Sequence, residues 1–458
     1  MGTITATLSE WAANLKYSDL TEEAIDAAKR FLYDSVGCAL GGYQQEDCEM
    51  LLHHLAEMGG AMECTCFGTG HRNSPINVAL YNALAIRAMD YNDIYWKADP
   101  CHPSDIIPAA TTICEWRHLS GEELIVGIII AYEMEMRLCE AGEPGIREKG
   151  WHHATLTAFA SPMVAGRMLG LDAEQIQHAI GISASHSCTL GAVTAGKLTM
   201  MKNTVDPMAT QAGVQAALLA EKGYSGPEHV IDGKEGLVHC YGPKWNLNKL
   251  TDGLGDRKNY KITECGMKAY PIEALTHSPL TALMEIVKEH KVKADDVGEI
   301  IVETIARAAD ILSDPAKYRP TSKETADHSM PYCLAVAIAD GMVTPQQFKN
   351  ERIRDEKLHP LMDAVKAVGN DEFEALFPAQ QPARVTVKTK SGKEYSARVD
   401  VPTGDYRKPM SIEELTVKFD ALAADKFSAK RRKALQDAIL CVEEMDDVGE
   451  LMQMTIQD

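Results

Sequence analysis

The feature that most restricts how this chain can fold is a double switch in the spacing of its apolar residues. Up to about residue 262 they recur at helical intervals, near Lys261 they begin to alternate, and after Pro402-Thr-Gly404 the helical interval returns. Thr21, followed by Glu22 and Glu23, caps a segment whose Ile25, Ala28, Leu32 and Val36 share one face and which ends at Gly41-Gly42. Asp172-Ala-Glu-Gln175 is a capping box ahead of Ile176, Ala179 and Ile180. Small-residue runs at 158–166 and 181–185 let neighbouring helices approach closely, as in a dense bundle. In the alternating region, 299–304 is a short apolar strand. Residues 384–389 and the series Tyr395, Ala397, Val399, Val401 flank a turn at Ser391-Gly392, which predicts a hairpin with one buried face. Segments 276–290 and 325–340 read as helices, and Ser411-Ile-Glu-Glu414 opens the returning helical pattern. The expectation is a mainly α chain: a large all-helical domain over 1–262, an inserted smaller α+β domain over 263–402, and helices 403–458 that rejoin the first domain.

At 458 residues the chain exceeds one simple core. Its formal charge of −20 argues against a nucleic-acid partner, whose phosphates demand local cations, and an anionic ligand would need cations converging against the overall field. The longest apolar run, 124–132, is far short of the ~20 residues that span a membrane. The first residues lack the basic and apolar regions of a signal peptide, and the 12 cysteines follow no disulfide framework, so a reducing cytoplasm is expected. Cys64-Thr-Cys66 is too tight for a usual zinc pair, Gly68-Thr-Gly70 lacks a nucleotide-loop context, and Ser183, Ser185 and Ser187 lack a nucleophile elbow. No metal is expected.

Chemistry-bearing residues concentrate in five segments. The densest is 87–105, which sets Arg87, Asp90, Asn92, Asp93, Asp99, His102, Ser104 and Asp105 directly after an apolar stretch. Carboxylates beside a core segment need partners or a task. Arg87 and His102 suit negative oxygens, Asp90 or Asp93 can orient or accept a proton, and the alternative of O and N ligation to a metal lacks any fixed ligand spacing. A satisfied helix end followed by turns is the plain structural alternative. The second segment, Gly150-Trp-His152-His153, puts adjacent histidines about 100° apart on a helix, so that one can face a cleft. In the third, Lys197 to Lys202, Lys202 follows Met200 and Met201 and is placed to anchor a carboxylate. The fourth carries Lys268, Tyr270 and His277; the fifth is 319–332, with Asp327, His328 and Tyr332.

These strings resemble the MmgE/PrpD family. Residues 87–105 resemble its "R-x-L-D-[FY]-N-D-T…H-P-S-D-N", 150–153 its "G-[WL]-D-H", 216–227 its "A-A-L-L-A-x-x-G-[FY]-[ST]-G-P", and 320–332 its "P-T-R-E-T-A-D-H-S-L-P-Y". The resemblance covers essentially the whole chain. It implies a large helical domain with a smaller α+β lid, a homodimer, and a cofactor-independent site between the domains. The best-known members include 2-methylcitrate dehydratases and cis-aconitate decarboxylases, and members act on small di- and tricarboxylates by dehydration, decarboxylation or epimerisation. Residues and resemblance together mark Asp90, His102, His153 and Tyr332 as catalytic. Arg87, Asn92, Asp93, Ser104, Lys202, Lys268, His277 and His328 are marked as substrate-binding. The expected activity is a hydro-lyase for a carboxylated substrate, 2-methylcitrate-dehydratase-like. The alternatives are a decarboxylase, an epimerase such as one acting on iminodisuccinate, or a carboxylate-binding member without catalysis. Ile94 stands where that branch has Thr, Ile106 where it has Asn, and His152 where it has Asp, so 2-methylcitrate itself is not expected to be the best substrate.

Overall fold

The structure, a computed structural model, describes residues 2–195, 198–242 and 244–457; Lys197 lies outside the described residues. The chain is mainly α and divides into two compact units, Met1–Cys265 with Ile412–Asp458, and Gly266–Ser411.

The first unit opens with α1 (Ile4–Asn14), α2 (Glu22–Gly42), α3 (Glu46–Met58), α4 (Pro75–Arg87), α5 (Ile107–Arg117), α6 (Gly121–Ala141), α7 (Ala154–Met168), α8 (Ala173–Ala184) and α9 (Met201–Glu221). The caps read from sequence are formed: Thr21 accepts from the Ala24 N–H, and Asp172 and Gln175 cap each other reciprocally. Helix α6 is buried on nearly every face, including Glu133, Glu135 and Arg137, which makes it the central helix of the unit. Gly213 of α9 meets α7 so closely that a Cβ there would lie 2.1 Å from Ser161 Oγ. That hydroxyl donates to the Ala209 carbonyl at 3.0 Å, cross-linking the two helices that carry the histidine and lysine segments.

This unit is not all-helical. Short antiparallel ladders join β1 (Cys64–Thr65) to β2 (Arg72–Asn73), β3 (Asp93–Trp96) to β4 (Pro100–Cys101), and β5 (Gly142–Glu143) to β6 (Lys244–Trp245). The β3–β4 pair has a clear consequence: it folds 93–101 back on itself and returns His102 to Asp93. Beyond α9 the described residues up to 262 are mostly turns, with only two short helices, Leu237–Tyr241 and Asn248–Thr251. This segment is rich in Gly, Asp and Asn and lacks helical periodicity.

The second unit holds a four-stranded sheet. The hairpin of Ala383–Thr389 with Glu394–Val399 forms as read, with Gly392 at φ +82° in its turn. Strand Val297–Thr304 pairs antiparallel with the hairpin and parallel with Val365–Gly369. The unit also holds α10 (His277–His290) and α11 (Met330–Asp340). The helix read over 325–340 is broken, because Ser329 leaves helical geometry to cap α11, accepting from the Tyr332 N–H at 3.0 Å. Residues 403–411 group with this unit, where the Met267 N–H bonds the Gly404 carbonyl at 2.8 Å.

The chain then supplies α12 (Ile412–Ala423) and α13 (Ala429–Leu440) to the first unit. Phe419 stacks on Tyr33 of α2 at 4.6 Å. Lys418, buried, pairs with Asp34 at 2.6 Å and donates to the Tyr91 carbonyl at 2.6 Å. Among the described residues no helix is long and apolar enough to cross a membrane, and all 12 cysteines are free thiols.

Candidate active site

The site grows out of the end of α4. Asp90 sits three residues past Arg87 in the left-handed region, φ +50°, which Asp tolerates better than most residues. This turn aims its carboxylate back at Arg87, whose Nη1 donates to Asp90 Oδ1 in a short contact. Lys202, arriving from α9, reaches Asp90 Oδ2 at 3.0 Å. Asp90 therefore bridges two buried cations, and Arg87 Nε also lies 3.6 Å from Asp105 Oδ2.

Asp93 clamps the His102 loop twice. Its side chain accepts from the Ser104 N–H at 2.9 Å and the Ser104 hydroxyl at 2.6 Å. Its main-chain carbonyl lies 2.7 Å from His102 Nδ1. A carbonyl can only accept, so Nδ1 carries the hydrogen and Nε2 is the basic nitrogen of the neutral ring. Asn92 completes the loop, donating to Ser104 Oγ at 2.9 Å and Asp105 Oδ1 at 3.1 Å. Asn92, Asp93 and Ser104 thus hold the histidine loop by bonds to one another.

Helices α7 and α9 supply the facing wall. His153 stands at the N-cap position of α7, and its Nε2 lies 3.4 Å from Asp206 Oδ2 on α9. Its ring meets His102 edge-on at 5.5 Å and His152 at 3.9 Å, so three imidazoles form one cluster. Thr157, one turn further along α7, touches both Glu135 of α6 and Asp206. On α9, Lys202 and Asp206 are four residues apart and so share a face.

Burial governs the charges. It would lower Arg87, but Asp90, Asp105 and Asp206 more than offset this and hold the guanidinium firmly charged. Burial pushes Asp93 up to about 6 despite its bonds to Ser104. Burial raises Asp105 well above the carboxylate range against the pull of Arg87, and raises Glu135 likewise. Burial would raise Asp206 too, but His153 and Arg87 overcome it and keep this carboxyl ionised. Burial and the neighbouring His153 drive His152 well below its ordinary value, so it is neutral.

His152, His153 and Asp206 lie close enough to be considered as metal ligands. The donor set does not fit. The Ala154 N–H donates to His152 Nδ1 at 3.2 Å, so the ring hydrogen sits on Nε2 and neither nitrogen has a lone pair to offer.

The remaining candidates belong to the second unit. Lys268 and His277 are buried, His277 with its ring 5.7 Å from Tyr270. His328 Nδ1 meets Asp327 at 2.5 Å, and Lys323 meets the other oxygen of that carboxylate at 3.1 Å. Tyr332 differs from its catalytic reading: it is fully buried in α11, its hydroxyl donates to the Gln347 carbonyl, and its ring packs near Phe348. A phenol so committed is part of the core. Sequence reasoning also missed Asp206 and Glu135, and named Asp105 only as part of its motif. Of the three departures, His152 lies inside the cluster, whereas Ile106 is fully packed at the start of α5 and Ile94 is half-buried on β3.

The geometry defines a class of site: buried acid–base groups gathered around paired cations. The comparisons with known proteins agree on its lineage. The MmgE/PrpD N-terminal domain matches residues 6–249 and the C-terminal domain 270–444, and the chain belongs to this family. It is 23% identical to a cis-aconitate decarboxylase of Aspergillus terreus, over 98% of this chain and 95% of that protein. It is 25% identical to the cis-aconitate decarboxylase of Homo sapiens, over 98% and 93%. It is 23% identical to a 2-methylcitrate dehydratase of Salmonella typhimurium, over 97% and 94%. Both names denote lyases.

Proposed function

We propose that the protein is a hydro-lyase that dehydrates a small di- or tricarboxylic hydroxy acid, in the manner of a 2-methylcitrate dehydratase. The observation that carries this reading is the pair of adjacent imidazoles with different partners, His102 on a carbonyl and His153 on a carboxylate. His102 Nε2 removes the proton from the carbon next to a substrate carboxylate. The C–H electron pair becomes the new C=C bond as the neighbouring C–O bond breaks, and His153 gives its proton to the departing hydroxyl, which leaves as water. Lys202 and Arg87, drawn partly away from Asp90, hold the negative oxygens on which charge builds.

A second reading, decarboxylation of a related unsaturated acid, draws on the relatives named cis-aconitate decarboxylase, which match almost the whole chain. One assay separates them. Purified protein is offered a panel of hydroxy acids including 2-methylcitrate, followed in the ultraviolet for a conjugated alkene, and cis-aconitate, followed by release of carbon dioxide. Alkene formation supports the hydro-lyase, and carbon dioxide alone transfers the assignment to the decarboxylase. Calorimetric binding of these acids with neither product would leave a carboxylate-binding protein.

A further inference from the structure

Thr157 stands between two acids. Its Oγ1 lies 2.5 Å from Glu135 Oε1 and 3.2 Å from Asp206 Oδ1. All three side chains are about 1% exposed or less, so bulk solvent does not reach the contacts. A hydroxyl has one hydrogen to donate, and an ionised carboxylate has none. If both acids were ionised, one of these contacts would set lone pairs against lone pairs away from bulk solvent. One of the two therefore carries a proton.

The surroundings decide which. Asp206 faces His153, with Arg87 also acting on it, and both favour its ionised form. The groups that face Glu135 are the reverse: Asp206 on α9, Asp93 on β3, Cys101 on β4, and Asp105 in the turn that follows it. Among the described residues Glu135 Oε2 has no hydrogen-bond partner, which costs far less for the carbonyl oxygen of a neutral acid than for an anion.

We propose that Glu135 is a positioning residue: held as the neutral acid, it donates to Thr157, which in turn donates to Asp206 and fixes that carboxylate as the counter-charge of His153. The direction of the chain follows from the proton count, since Thr157 can give its hydrogen to Asp206 only if Glu135 supplies one to Thr157. This deepens the assignment of His153 as proton donor and rests on it.

The test reads the His153 ring directly, by NMR of protein with carbon-13-labelled histidine, without substrate, the signal being assigned by its loss in His153→Gln. Glu135→Gln keeps the shape and the donor of the neutral acid, so the His153 midpoint stays in place and kcat falls by no more than about threefold. Thr157→Val removes the donor to Asp206, concentrates charge on that carboxylate, moves the His153 midpoint upward and lowers kcat by about tenfold or more. Thr157→Ser restores both. A roughly hundredfold loss of kcat in Glu135→Gln, or a midpoint shift there equal to that of Thr157→Val, would show Glu135 ionised or passing protons and overturn the proposal. An unmoved midpoint in Thr157→Val would overturn it as well. If Glu135→Gln fails to fold, the Thr157 pair decides alone. Failure of the lyase reading would appear as absent turnover in the wild type, with the NMR result still decisive for the chain.

Discussion

His102 and His153 differ less in position than in what each leans on. Because the Asp93 carbonyl fixes the His102 tautomer, Nε2 is the base, and an amide side chain, which has no basic nitrogen, cannot take up the proton there. His102→Gln should lose at least ~10²-fold in kcat while KM changes little, measured under the assay that first detects turnover. Asp93 itself carries a stability signature. Its carboxyl, ordinarily near 3.8, is raised to about 6 by burial. Between those values the folded protein keeps a proton that the unfolded chain has released, so stability falls as pH rises through this window. Unfolding free energies of Asp93→Asn and wild type, compared from pH 4 to 7, should show the variant's decline flatter by on the order of 2–3 kcal/mol. Much of this cluster was legible because 87–105 packs so many polar residues after an apolar run. Glu135 and Asp206 were not. Each is a single acid in a long helix, and only packing shows that they share a hydroxyl; the one local hint was the spacing of four between Lys202 and Asp206.

Among the elements, α12 does more than cover α2. Its Lys418 reaches past Asp34 to the Tyr91 carbonyl, and its ammonium lies 4.1 Å from the Tyr91 ring centroid, next to Asp90. Lys418→Met would leave Asp34 buried and unpaired, costing about 3–5 kcal/mol, whereas the double change Asp34→Leu with Lys418→Met should recover most of the loss. Thermal unfolding of the three proteins checks this, and equal stability of the single and double variants would contradict it. The hairpin was legible because Val385 and Val387 alternate cleanly with polar neighbours. Strand Val365–Gly369 was not, since only Val365 is buried and the strand owes its place to pairing with 300–304. The small β3–β4 ladder escaped because it holds a Pro and so few residues that no period can show.

At the scale of the whole molecule, α9 presents Met201 and Met208 to solvent at 40% and 45% exposure, two turns apart on one stripe. We propose, from the family the chain belongs to, that the protein pairs with a second copy. Sedimentation should then give about twice the chain mass of 50.2 kDa, and the mass of a single chain would contradict it. The crowding of acids around so few cations has a further consequence. Asp90, Asp93, Asp105, Glu135 and Asp206 share one buried region with Arg87 and Lys202, and Asp105 and Glu135 already hold protons that they would shed in water. A polyanionic ligand entering there raises the cost of every remaining negative charge, so its arrival is itself a titration. Calorimetry of a tricarboxylate in buffers of different ionisation enthalpy should report net proton uptake on binding, and affinity should strengthen as pH falls from 8 toward 6. The interior would thus act as a small proton store that is filled each time the ligand enters and emptied each time it leaves.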